Sequence, residues 1–325
     1  MSSHVFCREL CLKRHEPLAG TGKVAARSLL LHWPRGKWRV PRHESAGMGD
    51  RLRAALKNAM DAGIHVGLVD DGNARDGDGF LLQLYPQRVR LACMTEAELV
   101  DQISAFLAGE KIGGEAEPRI SVLCCTDSRR DACCARFGFA TFKALKKHAD
   151  PARFQVFQCT HVGGCRFAAS LMVLPQRQRY GRLSPEEVPA FLEAIGEGRV
   201  YLPAYRGRPD APEPFQVAEI AALDWADRHG IDRRQVRIDL PDANEAFRPG
   251  DRMTLIAQAG DARLAIDLAT VSYPVQTRCN SAVKDEDNHS TRWRVSGITP
   301  CSEERRSYAG NDESASLQAD TGLTS

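Results

Sequence analysis

The stretch "RISVLCCTDSRRDACCARFGFATFKALKKHA", residues 119–149, decides how this chain is read. It opens on a short apolar run of strand length and closes on a segment whose apolar residues recur at helical spacing. Between them lie two vicinal cysteine pairs in eleven residues, "CCTDSRRDACC" at 124–134. Cys125 ends the expected strand and Cys134, eight intervening residues later, opens the expected helix. Disulfides, zinc, thiol redox chemistry and iron–sulfur clusters all use cysteine at different spacings, so the spacing can choose among them.

Reading outward, "RFQVFQCT" is a second strand, "SLMVLP" and "YGRL" a hairpin, and "SPEEVPAFLEAIGEG" a helix with Ser184 as N-cap, Pro185 at its first position and Glu187 as capping partner. The first half shows the same order. "SLLLHW" is a strand, "GDRLRAALKNAMDAG" a helix ending at Gly63, and "IHVGLVDD" a strand. "FLLQLY" and "RVRLACM" form a hairpin around Pro86 and Gln87, followed by the helix "TEAELVDQISAFLAGE" with a Thr95/Glu98 capping box. A crossover unit followed by a hairpin and a covering helix is the thioredoxin-like arrangement. The expected fold is therefore α/β: two thioredoxin-like units in tandem, at 1–115 without ligands and at 116–205 with them.

Beyond Tyr205 the prolines and glycine of "RGRPDAPEPF" suggest a linker. A small α+β appendage follows to about residue 308, with the helix "QVAEIAALDWADRHG" and strands near "QVRIDL", "RMTLIAQAG" and "ARLAIDLATV". Residues 309–325 are polar, small and unpatterned, and are expected to be disordered.

Composition narrows the function. The chain has 325 residues, 43% hydrophobic, with a net charge of +2, too near neutral to imply a nucleic-acid or membrane-surface partner. No window approaches a signal peptide or a membrane span, so a cytoplasmic location is expected. Eleven cysteines are an odd number for a disulfide framework, which a reducing cytosol would not preserve. Metal or redox use is the better reading.

The second unit carries the donors. "CTHVGGCRF" ends its second strand and supplies His161 and Cys165, so both loops fall at one edge of a crossover unit where four ligands can face one point. Gly163 and Gly164 would let backbone approach a bulky, electron-rich group. Cysteine and histidine both ligate iron–sulfur centres. Cys124 and Cys133 read as structural neighbours, and Cys159 as a substitute ligand should His161 be unused. Cys7 and Cys11 read as structural or exposed, while Cys93, Cys279 and Cys301 stand alone.

The strings "CTDSRRDACCA", "THVGGCRFAASLMVLP", "YGRL" and "EPLAGT" (16–21) resemble the sucrase/ferredoxin-like family, thioredoxin-fold proteins holding a 2Fe-2S cluster. The resemblance spans about residues 5–205. It implies ligands at Cys125, Cys134, His161 and the position of Cys165, where the familiar pattern has a second histidine; Asp127 also stands where histidine is frequent. A three-cysteine, one-histidine 2Fe-2S cluster follows, with a midpoint potential below that of bis-histidine relatives. Arg129, Arg130, Arg136 and Arg166, close in sequence, would favour the reduced cluster.

The implied role is a one-electron carrier served by a redox partner protein, a reductase or acceptor, rather than an enzyme. A structural zinc module on the same four residues is the alternative. A thiol redox protein is a second, but it needs a Cys-x-x-Cys pair that the sequence lacks. Other motifs fall away: "GTGKV" lacks the leading glycine and hydroxyl residue of a phosphate loop, and "DDGNARDGDG" reads as a turn. "HWPRGKWR" is expected to cover the edge of the first unit.

Overall fold

The computed structural model describes residues 5–23, 25–72, 79–238, 251–281 and 288–301. A short helix, α1 (Cys7–Lys13), precedes the first repeat of elements: β1 (Ser28–His32), α2 (Asp50–Asp61), β2 (His65–Asp70), β3 (Phe80–Tyr85), β4 (Val89–Cys93) and α3 (Glu96–Ala108). After the two-residue β5 (Glu115–Ala116) the order recurs as β6 (Ile120–Cys125), α4 (Phe139–His148), β7 (Phe154–Cys159), β8 (Leu171–Leu174), β9 (Gln178–Tyr180) and α5 (Val188–Gly196). The third part holds β10 (Tyr205–Gly207), α6 (Glu213–Arg228), β11 (Val236–Ile238), β12 (Arg252–Ala259), β13 (Ala262–Pro274) and β14 (His289–Pro300).

The architecture is mixed α/β around one ten-stranded sheet, ordered β10-β9-β8-β6-β7-β2-β1-β3-β4-β5. In each repeat the first two strands run parallel and the next two add as an antiparallel hairpin. The repeats meet edge to edge where β2 pairs antiparallel with β7, Val69 opposite Cys159 and Asp70 opposite Gln158. That pairing removes two exposed strand edges from a chain that would otherwise have to protect them. It also brings the end of β7, which leads into the His161 loop, beside the first repeat.

Side-chain alternation sorts the core. Along β1, Leu29 and Leu31 join one apolar cluster with Leu52, Leu56, Ile103 and Phe106, while Leu30 faces another. Along β6, Val122 and Cys124 pack with Leu145, Val173 and Phe191, whereas Leu123 and Cys125 pack with Phe157 and Met172. The period of two in a strand therefore separates the vicinal cysteines. Cys124 goes under α4, where its thiol donates to the Gly138 carbonyl at 3.3 Å, and Cys125 goes to the face that carries the site.

The capping box at α3 is half as expected. Thr95 Oγ1 accepts from the Glu98 amide at 3.2 Å, but the Glu98 carboxylate reaches one residue further back, to the Met94 amide at 2.8 Å. Thr95→Ala is expected to cost about 1 kcal/mol. An unchanged denaturation midpoint would contradict it. At α5 the helix starts at Val188, later than Ser184 implies, although Ser184 N does donate to Glu187 at 2.9 Å.

Several expectations need correction. The linker from 206 to 215 is in fact an edge strand, β10, paired with β9, followed by the first turn of α6. The hairpin partner of β8 is Gln178–Tyr180, and "GRL" has already left the sheet. Trp33 and Trp38 are buried in the first core rather than covering its edge, with Trp38 Nε1 donating to the Trp33 carbonyl at 2.9 Å. Helix α1 and strand β14 were not expected. β14 completes a four-stranded sheet, β11-β12-β13-β14, which packs its Leu255, Ile266, Leu268 and Trp293 against α6. The tail from 309 and residues 73–78 of the acidic turn lie outside the described residues.

Candidate metal centre

The chain brings Cys125, Cys134, His161 and Cys165 to one place. Cys125 is the last residue of β6, and Cys134 begins a π-helical turn, Cys134–Gly138, that leads into α4. Such turns concentrate at functional sites because the extra residue re-aims a side chain. The start of this helix presses on the end of β6: a Cβ on Gly138 would sit 2.0 Å from the Cys125 carbonyl oxygen. Glycine there is what allows the two thiols to be neighbours.

His161 follows β7, and Cys165 opens a 3-10 turn, Cys165–Phe167, after Gly163 and Gly164. Both glycines have positive φ, +98° and +77°, which is their first reason for being glycine. A Cβ on Gly164 would also meet Arg206 and Phe167 at 2.7 Å, whereas at Gly163 the nearest atoms lie at an ordinary 3.6 Å. The requirement is thus one of backbone shape and packing at the loop.

The donors form a ring of neighbours. Cys165 Sγ lies 3.4 Å from His161 Nδ1, Cys125, Cys134 and Cys165 share one buried cluster, and Cys125 interacts electrostatically with Cys134 and His161 as Cys165 does with Cys134. The three thiols are almost wholly buried and form no disulfide. Electrostatically the ring alternates. Hydrogen bonds from Cys134 and His161 hold Cys125 well below the usual thiol range, and the same two neighbours bring Cys165 down to about 6 despite burial. Cys134, between two thiolates, is pushed far up. For His161 burial acts against the charged ring, but the sulfurs of Cys125 and Cys165 outweigh it and raise it to about 9. Three thiols and an imidazole gathered at one buried point are donors that bind a metal once deprotonated, so they fit a cationic centre.

Cys159 lies beside Cys125 across the β6/β7 ladder, is fully buried, and has its thiol pushed far up by burial and by Cys125. It belongs to the sheet. Asp127 is buried in the turn after β6, where its side chain accepts from the Arg130 amide at 3.3 Å, and its carboxyl is raised by burial and by Cys125.

The charges that face the site come from positions distant in sequence. Arg42 donates to the His161 carbonyl at 2.6 Å, Arg179 to the Val162 carbonyl at 3.1 Å, and Arg206 to the Gly163 carbonyl at 2.9 Å. Ser170 Oγ holds the Gly164 carbonyl at 2.9 Å. Each carbonyl of the "HVGG" loop is thereby pinned. Burial lowers all three guanidinium groups, Arg179 to about 10 and Arg206 to about 9, yet they remain cations at neutral pH. Of the arginines expected from sequence proximity, Arg166 is neutralised by Glu16, Arg129 binds the carbonyls of Arg35 and Gly36, and Arg136 stacks over Phe6. A buried arginine paired with a backbone carbonyl leaves no sequence signal, because a carbonyl belongs to every residue.

Two strings far apart in sequence meet here. Arg166 of "GGCRFA" binds Glu16 of "EPLAGT" through Nε at 2.8 and 2.9 Å and Nη2 at 2.7 Å. Arg206 Nε also donates to Thr21 Oγ1 at 3.0 Å, and Gln216 of α6 pairs with Gly22 by two bonds of 3.0 Å. The early segment is clamped between the donor loop and α6.

Buried thiols and an imidazole converging at the end of a sheet define a metal or iron–sulfur protein. The model of the sucrase/ferredoxin-like family matches residues 18–207, more than half of the chain, and the chain belongs to that family. Among solved structures it is similar to a thioredoxin-like 2Fe-2S ferredoxin from Aquifex aeolicus, wild type, at 19% identity over 27% of this chain and 95% of that one, with a TM-score of 0.24. A second structure of a thioredoxin-like 2Fe-2S ferredoxin from that organism gives 19%, 29% and 96%, with a TM-score of 0.27. No curated protein matches the chain. Among the described residues no helix is long and apolar enough to cross a membrane.

Proposed function

We propose that the chain is a one-electron carrier holding a 2Fe-2S cluster through Cys125, Cys134, His161 and Cys165, on the second of two thioredoxin-like units. The ring of three buried thiols and one half-buried imidazole carries the reading. Family membership supports the cluster type, and the spread of the donors suits two metal ions better than one. Among the described residues, the ring does not include three donor atoms that all lie within 4.8 Å of one another.

The cluster supplies one-electron oxidation and reduction when bound. This chain's residues supply the rest. Three thiolates and one neutral imidazole set the ligand charge, Arg42, Arg179 and Arg206 fix the loop and offset that charge, and Phe157 and Val162 pack with the thiols and keep them from water. Electrons come from and pass to a redox partner protein, in the cytoplasm, without a nucleic acid or membrane.

Protein purified without oxygen should be reddish-brown, bleach on dithionite, and contain about two iron and two acid-labile sulfide per chain. A colourless protein carrying zinc on the same residues would replace this reading with a structural zinc module.

A further inference from the structure

The second vicinal pair is split as the first one is. Cys134 joins the ring, but Cys133 Sγ lies 3.5 Å from Cys7 Sγ and 3.3 Å from Cys279 Sγ, and the last two sulfurs are 3.7 Å apart. Asp131 closes the group. Its Oδ1 is 3.2 Å from Cys279 Sγ and 3.7 Å from Cys7 Sγ. All four residues are buried, and their donor atoms lie within 4.8 Å of one another. The sequence reading of Cys7 as structural or exposed, Cys133 as structural and Cys279 as solitary therefore misses what they share.

We propose that Cys7, Asp131, Cys133 and Cys279 form a second, mononuclear metal site, taken by zinc, that fastens α1 and the turn after β13 to the loop carrying Cys134. Sulfur spacing is the first ground. Disulfide sulfurs would be about 2.05 Å apart. A tetrahedral zinc with bonds of about 2.3 Å sets its sulfurs about 3.8 Å apart. The observed 3.3 to 3.7 Å triangle sits near the second value, with the carboxylate oxygen above it.

Support around the donors is the second ground. The Cys133 and Cys279 amides each donate to Asp131 at 2.8 Å, one to each carboxylate oxygen. The Arg8 amide donates to Cys133 Sγ and the Cys7 amide to Cys279 Sγ, both at 3.5 Å. Backbone donors aimed at two of the sulfurs and at the carboxylate orient anionic ligands, and weak S–H donors are a poor substitute for a cation among them. Three thiolates and one oxygen in a closed tetrahedron suit zinc in a structural role, with no position left for a substrate.

Placement is the third ground. Cys7 lies on α1, Cys133 precedes the π-helical turn, and Cys279 starts a 3-10 turn after β13. Residues 126 and 272 apart in sequence are joined at one point. α1 itself is only seven residues long and packs against the Cys165 turn, with Arg8 donating to the Ala168 carbonyl at 2.6 Å. An ion here holds that short helix on the ring's own loop.

Metal analysis of the full chain, purified under reducing conditions with no added metal, tests this. About one zinc per chain is expected in this site, lost in Cys279→Ser, with iron, sulfide and visible spectrum unchanged. Should the ring also hold zinc, two per chain would fall to one, so the two sites fail separately. Cobalt substitution of the wild-type chain needs no variant and should give sulfur-to-cobalt charge-transfer bands with tetrahedral d–d absorption. Wild-type protein with no metal beyond the ring's, full zinc in Cys279→Ser, iron in place of zinc, or a disulfide among the three thiols would each overturn the proposal.

Discussion

Cys165→His is expected to raise the midpoint potential by on the order of 100 mV or more while leaving iron and sulfide at about two each. Replacing a thiolate by a neutral imidazole removes one negative charge from the ligand shell, so adding an electron meets less repulsion. Centres with two histidines sit several hundred millivolts, roughly, above four-cysteine ones, and one replacement should cover a sizeable part of that range. On the proposed ligation the change is confined to residue 165. Residue 165 lies on a loop whose carbonyls are held by Arg42, Arg179, Arg206 and Ser170, so the surrounding charges stay in place. Protein-film voltammetry of both proteins provides the measurement. An intact cluster with an unchanged or lower potential would remove Cys165 from the ligand set.

Glu16→Ala should destabilise the protein by about 3–5 kcal/mol. Glu16 is 1% exposed and Arg166 8%, so deleting the carboxylate leaves a buried guanidinium with no counter-ion. Arg292, whose Nε lies 3.6 Å from Glu16, loses a partner as well. Most of that cost comes from the orphaned charge, so Glu16→Ala combined with Arg166→Met should recover part of it. Denaturant titration of the two variants would show this. A single variant within about 0.5 kcal/mol of wild type would place the pair among the weak surface contacts instead.

The same pair sets a pH dependence. Burial alone would raise the Glu16 carboxyl, but hydrogen bonds and charge from Arg166 dominate and hold it below the ordinary carboxylate range. The unfolded chain therefore binds more protons at Glu16 than the folded one. Its stabilisation is complete above the ordinary carboxylate value of about 4.3 and is lost as pH falls through the lower folded value. Glu16→Gln should remove that acid-side loss and, with it, the stabilisation above it.

Local pattern made much of this protein legible. β1 to β4, β6 to β8 and α2 to α6 follow from apolar period and turn residues, and the four ring donors follow from loops at strand ends. Edge elements were harder to read. β10 is three residues of "YRG", too short for a period, and proline and glycine around it resemble a linker. β14 alternates, but polar and charged residues on its open face mask the pattern.

What the sequence by itself determined is the order of elements and that the side chains of Cys125, Cys134, His161 and Cys165 fall on loops at one edge of the sheet, because short-range backbone preferences and spacing act without knowledge of the rest of the chain. Only the tertiary structure decided that the two repeats share one sheet, that three remote arginines clasp the "HVGG" carbonyls, and that Cys7, Cys133 and Cys279 converge. Those contacts join residues up to 272 positions apart, and their closeness is fixed by packing of whole layers rather than by any neighbour in the chain.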